Sequence, residues 1–244
     1  MLKVKKEAFK MPKLKVFCLP YAGGSKSIFN EWIAEYKEVA DIIPVEYSGH
    51  GSRFAEELNK SADDMADDVY RYIVSEKPEN YVIYGHSMGS LISLLTAIRL
   101  EDTYDYPPKA VIVGGTRPPH LMFKDHKISH LPKDVFMKEI FEIGQTDSEI
   151  MEEPELYDIL YDIFYADMVI GETYEGSSDL PRIKADLVVM TGLKDDEAPV
   201  EEMKEWQKYS DGSFEFKSFN DGHFFPFTCT DFHDYFASLI NAES

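Results

Sequence analysis

Cysteine is nearly absent from this chain: Cys18 and Cys229 are the only two in 244 residues. Two thiols so far apart make no disulfide framework, and the expectation is a reduced, cytoplasmic setting. Cys18 falls in an apolar run and reads as core. No apolar run is long enough for a membrane-spanning helix. The charged start Met1-Leu2-Lys3-Val4-Lys5-Lys6 has no apolar stretch behind it, so it lacks the pattern of a signal peptide. Basic residues are also in short supply, 25 against 45 acidic ones, for a net charge of -20. That balance argues against nucleic acid, whose binders carry basic stripes. The exception is local: the first fifteen residues hold six lysines and one glutamate. Such a tail is either a solvated leader or a contact for an acidic partner. There is no internal repeat and no low-complexity linker.

What the chain does have is apolar residue enough, 44%, for one large core, and residues 1–244 read as a single α/β domain. Strands are expected near 14–19, 42–46, 81–85, 109–114, 186–191 and 214–219. Helices are expected at about 28–39, 61–76, 88–101, 200–210 and 229–241. In the second helix Ser61 stands as N-cap before Met65, Val69, Tyr72 and Ile73 at helical spacing. Strands alternating with helices predict a mostly parallel sheet with helices on both faces. The alternation breaks at about 118–180. Phe136, Ile140, Phe141 and Ile143 mark one helical segment there, and Leu156, Ile159, Leu160, Ile163 and Phe164 another. An insertion after a strand of such a sheet suits a helical lid that excludes water and shapes a pocket. Met122, Phe123, Phe136, Met137 and Met168 are candidates to line that pocket, together with Tyr21 from an early loop; the alternative is that the apolar residues of the insertion hold the lid together.

The most informative stretch is Gly85-His86-Ser87-Met88-Gly89, a G-x-S-x-G run. The apolar Tyr81-Val82-Ile83-Tyr84 leads into it, and a helical pattern with Leu91, Leu94, Leu95 and Ile98 on one face follows. Strand, sharp turn and helix are the context of a nucleophile elbow, which lifts a serine hydroxyl above the sheet at a helix N-terminus. A serine needs a base and a group that orients the base. α/β-Hydrolases supply them in the chain order Ser, Asp or Glu, His. Asp195 follows the apolar run Leu187-Val188-Val189-Met190, with Asp196 as its rival, and His223 follows the last predicted strand. Two N–H donors are needed for an oxyanion hole. Met88, after the serine, would supply one. Ala22, or Tyr21 beside it, in the glycine-rich loop Pro20-Tyr21-Ala22-Gly23-Gly24 would supply the other.

Competing readings are weaker. His120, His126 and His130 lie close together but match no zinc spacing and have no cysteine among them, so no metal is expected. Tyr21-Ala22-Gly23-Gly24 lacks the Gly-Lys-Ser/Thr ending of a phosphate loop. Asp195-Asp196-Glu197 lacks the ligand spacing of a calcium loop. His86 suits packing or a supporting hydrogen bond, His50 a structural turn, and His233 a surface or interface.

The chain resembles the type II thioesterases, the stand-alone editing hydrolases of nonribosomal peptide and polyketide synthases. Phe17-Cys18-Leu19-Pro20-Tyr21-Ala22-Gly23-Gly24, Tyr47-Ser48-Gly49-His50-Gly51-Ser52-Arg53 and the elbow carry the resemblance. So do Arg117-Pro118-Pro119-His120, Ser129-His130-Leu131-Pro132, Gly192-Leu193-Lys194-Asp195 and Asp221-Gly222-His223. The resemblance implies an α/β-hydrolase fold with Ser87 as nucleophile, His223 as base and Asp195 as acid. It implies acyl thioesters borne on the phosphopantetheine of carrier domains as substrates, and no cofactor. The simplest expectation is a monomer. Carrier proteins are generally acidic, so docking would need a local apolar or basic patch against a repulsive long-range field. Tyr47-Ser48 stands where the family often has proline, and Ser90 where a second glycine is frequent. The alternative is a small-molecule serine esterase or acyltransferase on the same fold, because fold and triad do not fix the substrate.

Overall fold

The computed structural model describes residues 13–122, 127–144, 153–175 and 179–243. The basic tail, Phe123 and His126 therefore lie outside the described residues, apart from Lys13 and Lys15. Strands β1 (Lys15–Leu19), β2 (Asp41–Pro44), β3 (Tyr81–His86), β4 (Ala110–Gly114), β5 (Asp186–Gly192) and β6 (Phe214–Phe219) form one sheet in the order β2-β1-β3-β4-β5-β6. Every neighbouring pair is parallel. Alternation along each strand divides the core. Phe17, Leu19, Ile83, Val111 and Val189 face one cluster; Val16, Cys18, Val82, Ile112 and Met190 face the other. Buried apolar rows on both faces are what a parallel sheet covered by helices on both sides requires.

The helices are α1 (Asn30–Glu35), α2 (Ala62–Ser75), α3 (Met88–Thr103), α4 (Lys133–Gly144), α5 (Pro154–Thr173), α6 (Val200–Met203), α7 (Phe225–Thr228) and α8 (Thr230–Ala242). α2 begins where its cap dictates: the Ser61 hydroxyl accepts the Asp64 N–H at 3.0 Å. Its buried face is Met65, Ala66, Val69 and Ile73, while Tyr72 emerges to solvent. α3 differs from its expected amphipathic pattern, because every residue from Met88 to Ala97 is buried. It lies between the sheet and α2, and a helix covered on all sides is apolar on all sides. The helix expected at 28–39 is shorter, with a 3₁₀ turn at Lys26–Phe29 leading into α1. The helix expected at 200–210 is only one turn, continued as 3₁₀ from Lys204 to Tyr209.

Between β4 and β5 the chain leaves the sheet to make α4 and α5. These two helices have their own small core of Ile128, Phe136, Met137, Ile140 and Phe141, closed over by Tyr161, Phe164 and Met168. Ile143, Leu156 and Ile159, apolar residues at helical spacing, are exposed. Glu172, buried near the end of α5, holds the entry to α4. It accepts the N–H groups of Ile128 at 2.6 Å and Ser129 at 3.1 Å, and the Ser129 hydroxyl as well. The Ser129-His130-Leu131-Pro132 piece is thus fixed by a carboxylate more than forty residues on.

Candidate active site

The strand order places a crossing point at β1 and β3. The chain runs from β1 outward to β2, then returns past β1 to β3. Loops leaving the carboxyl ends of β1 and β3 therefore diverge, and the crevice between them is where ligands bind in open parallel sheets. Leu19 pairs with Gly85 across that gap. Pro20–Gly24 and the Ser87 turn emerge side by side from it.

Ser87 sits at φ 53°, ψ -122°, a strained conformation for a non-glycine residue of the kind that sharp functional turns hold. Of residues 81–97 it alone is not buried. Gly85 allows the chain to double back: a Cβ there would stand 2.1 Å from the Gly89 carbonyl oxygen. The turn is clamped to β4. The Ser87 N–H donates to the Gly114 carbonyl at 2.7 Å. The buried Ser90 hydroxyl lies 2.9 Å from both the Gly85 and Gly114 carbonyls and accepts the Gly114 N–H at 3.0 Å. Ser90, the departure from a frequent glycine, is therefore a brace for the elbow.

Asp195 and His223 arrive from the neighbouring strand ends. The loops after β5 and β6 are joined by Leu193 N–H to the Phe219 carbonyl and Lys194 N–H to the Asp221 carbonyl, at 2.8 and 2.9 Å. Asp195 Oδ2 lies 2.9 Å from His223 Nδ1, and its Oδ1 accepts the Glu197 N–H at 3.0 Å. With a carboxylate on Nδ1, the neutral His223 ring keeps its hydrogen there and leaves Nε2 bare. Asp195 is buried and Asp196 is exposed, so only Asp195 meets the imidazole. Arg117 steadies this loop from the end of β4. Its guanidinium donates to the Glu197 carbonyl at 2.8 Å, the Asp196 carbonyl at 3.2 Å and the Glu202 carboxylate at 2.5 Å.

His86 is held chiefly by packing, with the His223 backbone beside it. Its ring packs 5.1 Å from that of His223, with Tyr21, Phe224, Phe225 and Phe227 around it. Burial, and secondarily the nearby His223, push its pKa well below the ordinary value. A neutral ring there adds no charge beside His223.

The Met88 N–H opens α3 and has no carbonyl one turn earlier to receive it. Ala22 offers its N–H from the β1 loop, and no acceptor for it is seen among the described residues. Tyr21 is half-buried, edge-on to Phe224 and Phe227. Of the expected pocket residues, Met122 packs into the main core. Phe136 and Met137 are wholly buried inside the α4–α5 cluster, where their neighbours are other side chains of the insertion. They hold its two helices together. Phe123 lies outside the described residues.

His120 is engaged by Tyr209 and Glu205, at 2.8 and 2.9 Å, and His233 by Tyr36 at 2.8 Å. No group of three or more His, Cys, Asp or Glu suited to a metal occurs among the described residues. Among them also, no helix is long and apolar enough to cross a membrane. Sequence reasoning missed Asp167, Glu172 and the bracing by Arg117. Asp167 and Glu172 carry no motif in the expected lid helix, and only their burial sets them apart.

A family model described as a thioesterase domain matches residues 14–243. The chain belongs to the thioesterase domain family. It is an enzyme of the α/β-hydrolase type. Thioesterase PikA5 of Streptomyces venezuelae is 27% identical over 216 residues, covering 87% of this chain and 75% of that one. Among solved structures, the RedJ thioesterase from the prodiginine pathway of Streptomyces coelicolor superposes with a TM-score of 0.84 at 24% identity, covering 95% of this chain and 85% of that one. YbtT, a type II thioesterase from the yersiniabactin NRPS/PKS pathway, gives 0.84 at 24% identity, covering 93% and 91%. The two structures show that this thioesterase shares their fold.

Proposed function

We propose that this thioesterase hydrolyses acyl thioesters carried on the phosphopantetheine arm of nonribosomal peptide or polyketide synthase carrier domains, clearing misprimed or stalled acyl groups. Two observations support the chemistry: the buried Asp195 on His223 Nδ1, and Ser87 held at φ 53° on the turn after β3. The relatives named for such pathways support the choice of substrate.

Ser87 Oγ attacks the thioester carbonyl carbon as its proton passes to His223 Nε2. Asp195 stabilises the resulting imidazolium and keeps the ring in the required tautomer. The Met88 and Ala22 N–H groups receive the oxyanion. The tetrahedral intermediate collapses by breaking the C–S bond. The carrier thiol leaves with the proton from the imidazolium, and the acyl group stays on Ser87. Water then attacks the acyl-serine, giving its proton to His223. The second collapse returns that proton to Ser87 Oγ and releases the carboxylic acid. The helices α4 and α5 would serve as the lid over this site.

The test is hydrolysis of acetyl- and longer acyl-phosphopantetheinyl carrier protein, beside a matched simple ester, with Ser87→Ala as control. Faster, Ser87-dependent release from the carrier is expected. Turnover of the simple ester alone would instead identify a small-molecule esterase, and carrier hydrolysis retained by Ser87→Ala would refute the nucleophile.

A further inference from the structure

The Pro20–Gly24 loop is anchored on either side of Ala22. At one end the Tyr47 hydroxyl donates to the Pro20 carbonyl at 3.1 Å. At the other, the Gly23 N–H donates to Asp167 Oδ2 at 2.7 Å. Asp167 belongs to α5, so the second anchor comes from the inserted helices. Phe164, one turn earlier on α5, lies against Gly23 so closely that a Cβ there would stand 2.0 Å from its ring. Gly23 has φ +73°, and both its backbone angle and its missing side chain serve this contact.

Asp167 Oδ2 has a second partner, His50 Nε2, at 2.9 Å. His50 and Asp167 are both 1% exposed. The other His50 nitrogen, Nδ1, lies 3.0 Å from the Ser48 carbonyl. A carbonyl can only accept, so Nδ1 carries a hydrogen. A proton must also lie between Nε2 and Oδ2, or two lone pairs would face one another at 2.9 Å. Oδ2 already accepts the Gly23 N–H, which disfavours a proton on that oxygen and favours it on the ring. Oδ1 is buried with no partner among the described residues, so a proton there would be stranded.

We infer that His50 and Asp167 are positioning residues, a buried ion pair that ties α5 to the Gly23 peptide and so holds the Ala22 N–H in place for the oxyanion. This rests on the proposed assignment of Ala22 as a donor. Asp167 comes from α5, Ser48, Glu46 and Tyr47 from the segment after β2, and these are the groups that face or surround His50. Burial opposes its charge. The Asp167 hydrogen bond and charge, the Ser48 carbonyl and the Glu46 charge together outweigh burial and raise the His50 pKa. The Tyr47 hydroxyl is held neutral by burial and by Asp167.

Two measurements test this. In the intact enzyme at pH 7, the ¹⁵N shifts of the His50 ring should both report N–H, as in imidazolium; one protonated and one bare nitrogen would overturn the pair. In Asp167→Asn the imidazolium signature should vanish. The variant's kcat on p-nitrophenyl acetate and on acetyl-carrier protein should fall together by about 10- to 100-fold, less than loss of a whole oxyanion donor. KM should stay within about twofold, because the oxyanion forms only in the transition state. An unchanged kcat in the folded variant would refute the positioning role. Failure on the carrier substrate in the wild type would count against the proposed substrate, while the ring shifts and the simple ester would still decide on the pair.

Discussion

Asp195 meets the His223 imidazole at 2.9 Å, while Asp196, one residue on, turns its side chain to solvent and lends only its backbone carbonyl to Arg117. The difference is a matter of which carboxylate the loop carries inward. A buried carboxylate can orient a ring and answer its charge in a low dielectric; an exposed one is screened.

Asp195→Asn should therefore lower kcat by about 10⁴-fold, the scale seen when a triad acid no longer enforces the imidazole tautomer. Asp196→Asn should leave kcat within about twofold. Steady-state hydrolysis of one acyl-carrier substrate by both variants checks this. A large loss at Asp196 alone would reverse the assignment.

Ser90 has its hydroxyl in contact with three backbone groups of the elbow and β4. Ser90→Ala leaves the buried Gly114 N–H and the Gly85 carbonyl without that partner, and should destabilise the fold by about 1–3 kcal/mol. Urea denaturation gives the number. The same variant should lose activity as the Ser87 turn slackens, and a native unfolding midpoint would show that the brace carries no weight.

His86 offers a pH prediction with a definite sign. Its pKa in the folded chain is pushed down, first by burial and then by His223. Below about pH 6.5, the ordinary imidazole value, the unfolded chain takes up a proton there that the folded chain refuses. Stability is then lost as pH falls, by up to about 1.4 kcal/mol per pH unit for one proton. His86→Gln should narrow the gap in unfolding free energy between pH 7 and pH 5. His50, whose pKa is raised, acts in the opposite sense. Its contribution is complete below the unfolded value and fades as pH climbs through the folded one. An unchanged gap in His86→Gln would mean that the ring is protonated in place.

Much of this molecule is legible along the chain. Short apolar runs such as Tyr81-Val82-Ile83-Tyr84 and Leu187-Val188-Val189-Met190 mark the central strands β3 and β5, because a strand buried on both faces has no polar side to show. The elbow is legible because its requirements are local: a strand, a glycine where the chain doubles back, and a helix start. Asp195 and His223 are legible because each follows its strand directly, and the carboxyl edge of a parallel sheet gathers such residues. Ser61 caps α2 through a hydroxyl three residues from its partner.

Tertiary structure decided the rest. Periodicity marks α3 as one-faced, yet its position between sheet and α2 buries it all round. Phe136 and Met137 have the composition of pocket residues and the place of core residues, since apolarity alone does not say which apolar neighbour a side chain meets. His50 and Asp167 stand 117 positions apart; His50 reads singly as a turn residue, and nothing along the chain singles out Asp167. Their pairing exists only because α5 folds back over the β1 loop. Short-range sterics and burial patterns are written in neighbouring residues. Which distant charges share a dry site depends on where the elements dock, and there a proton can be held that neither residue announces alone.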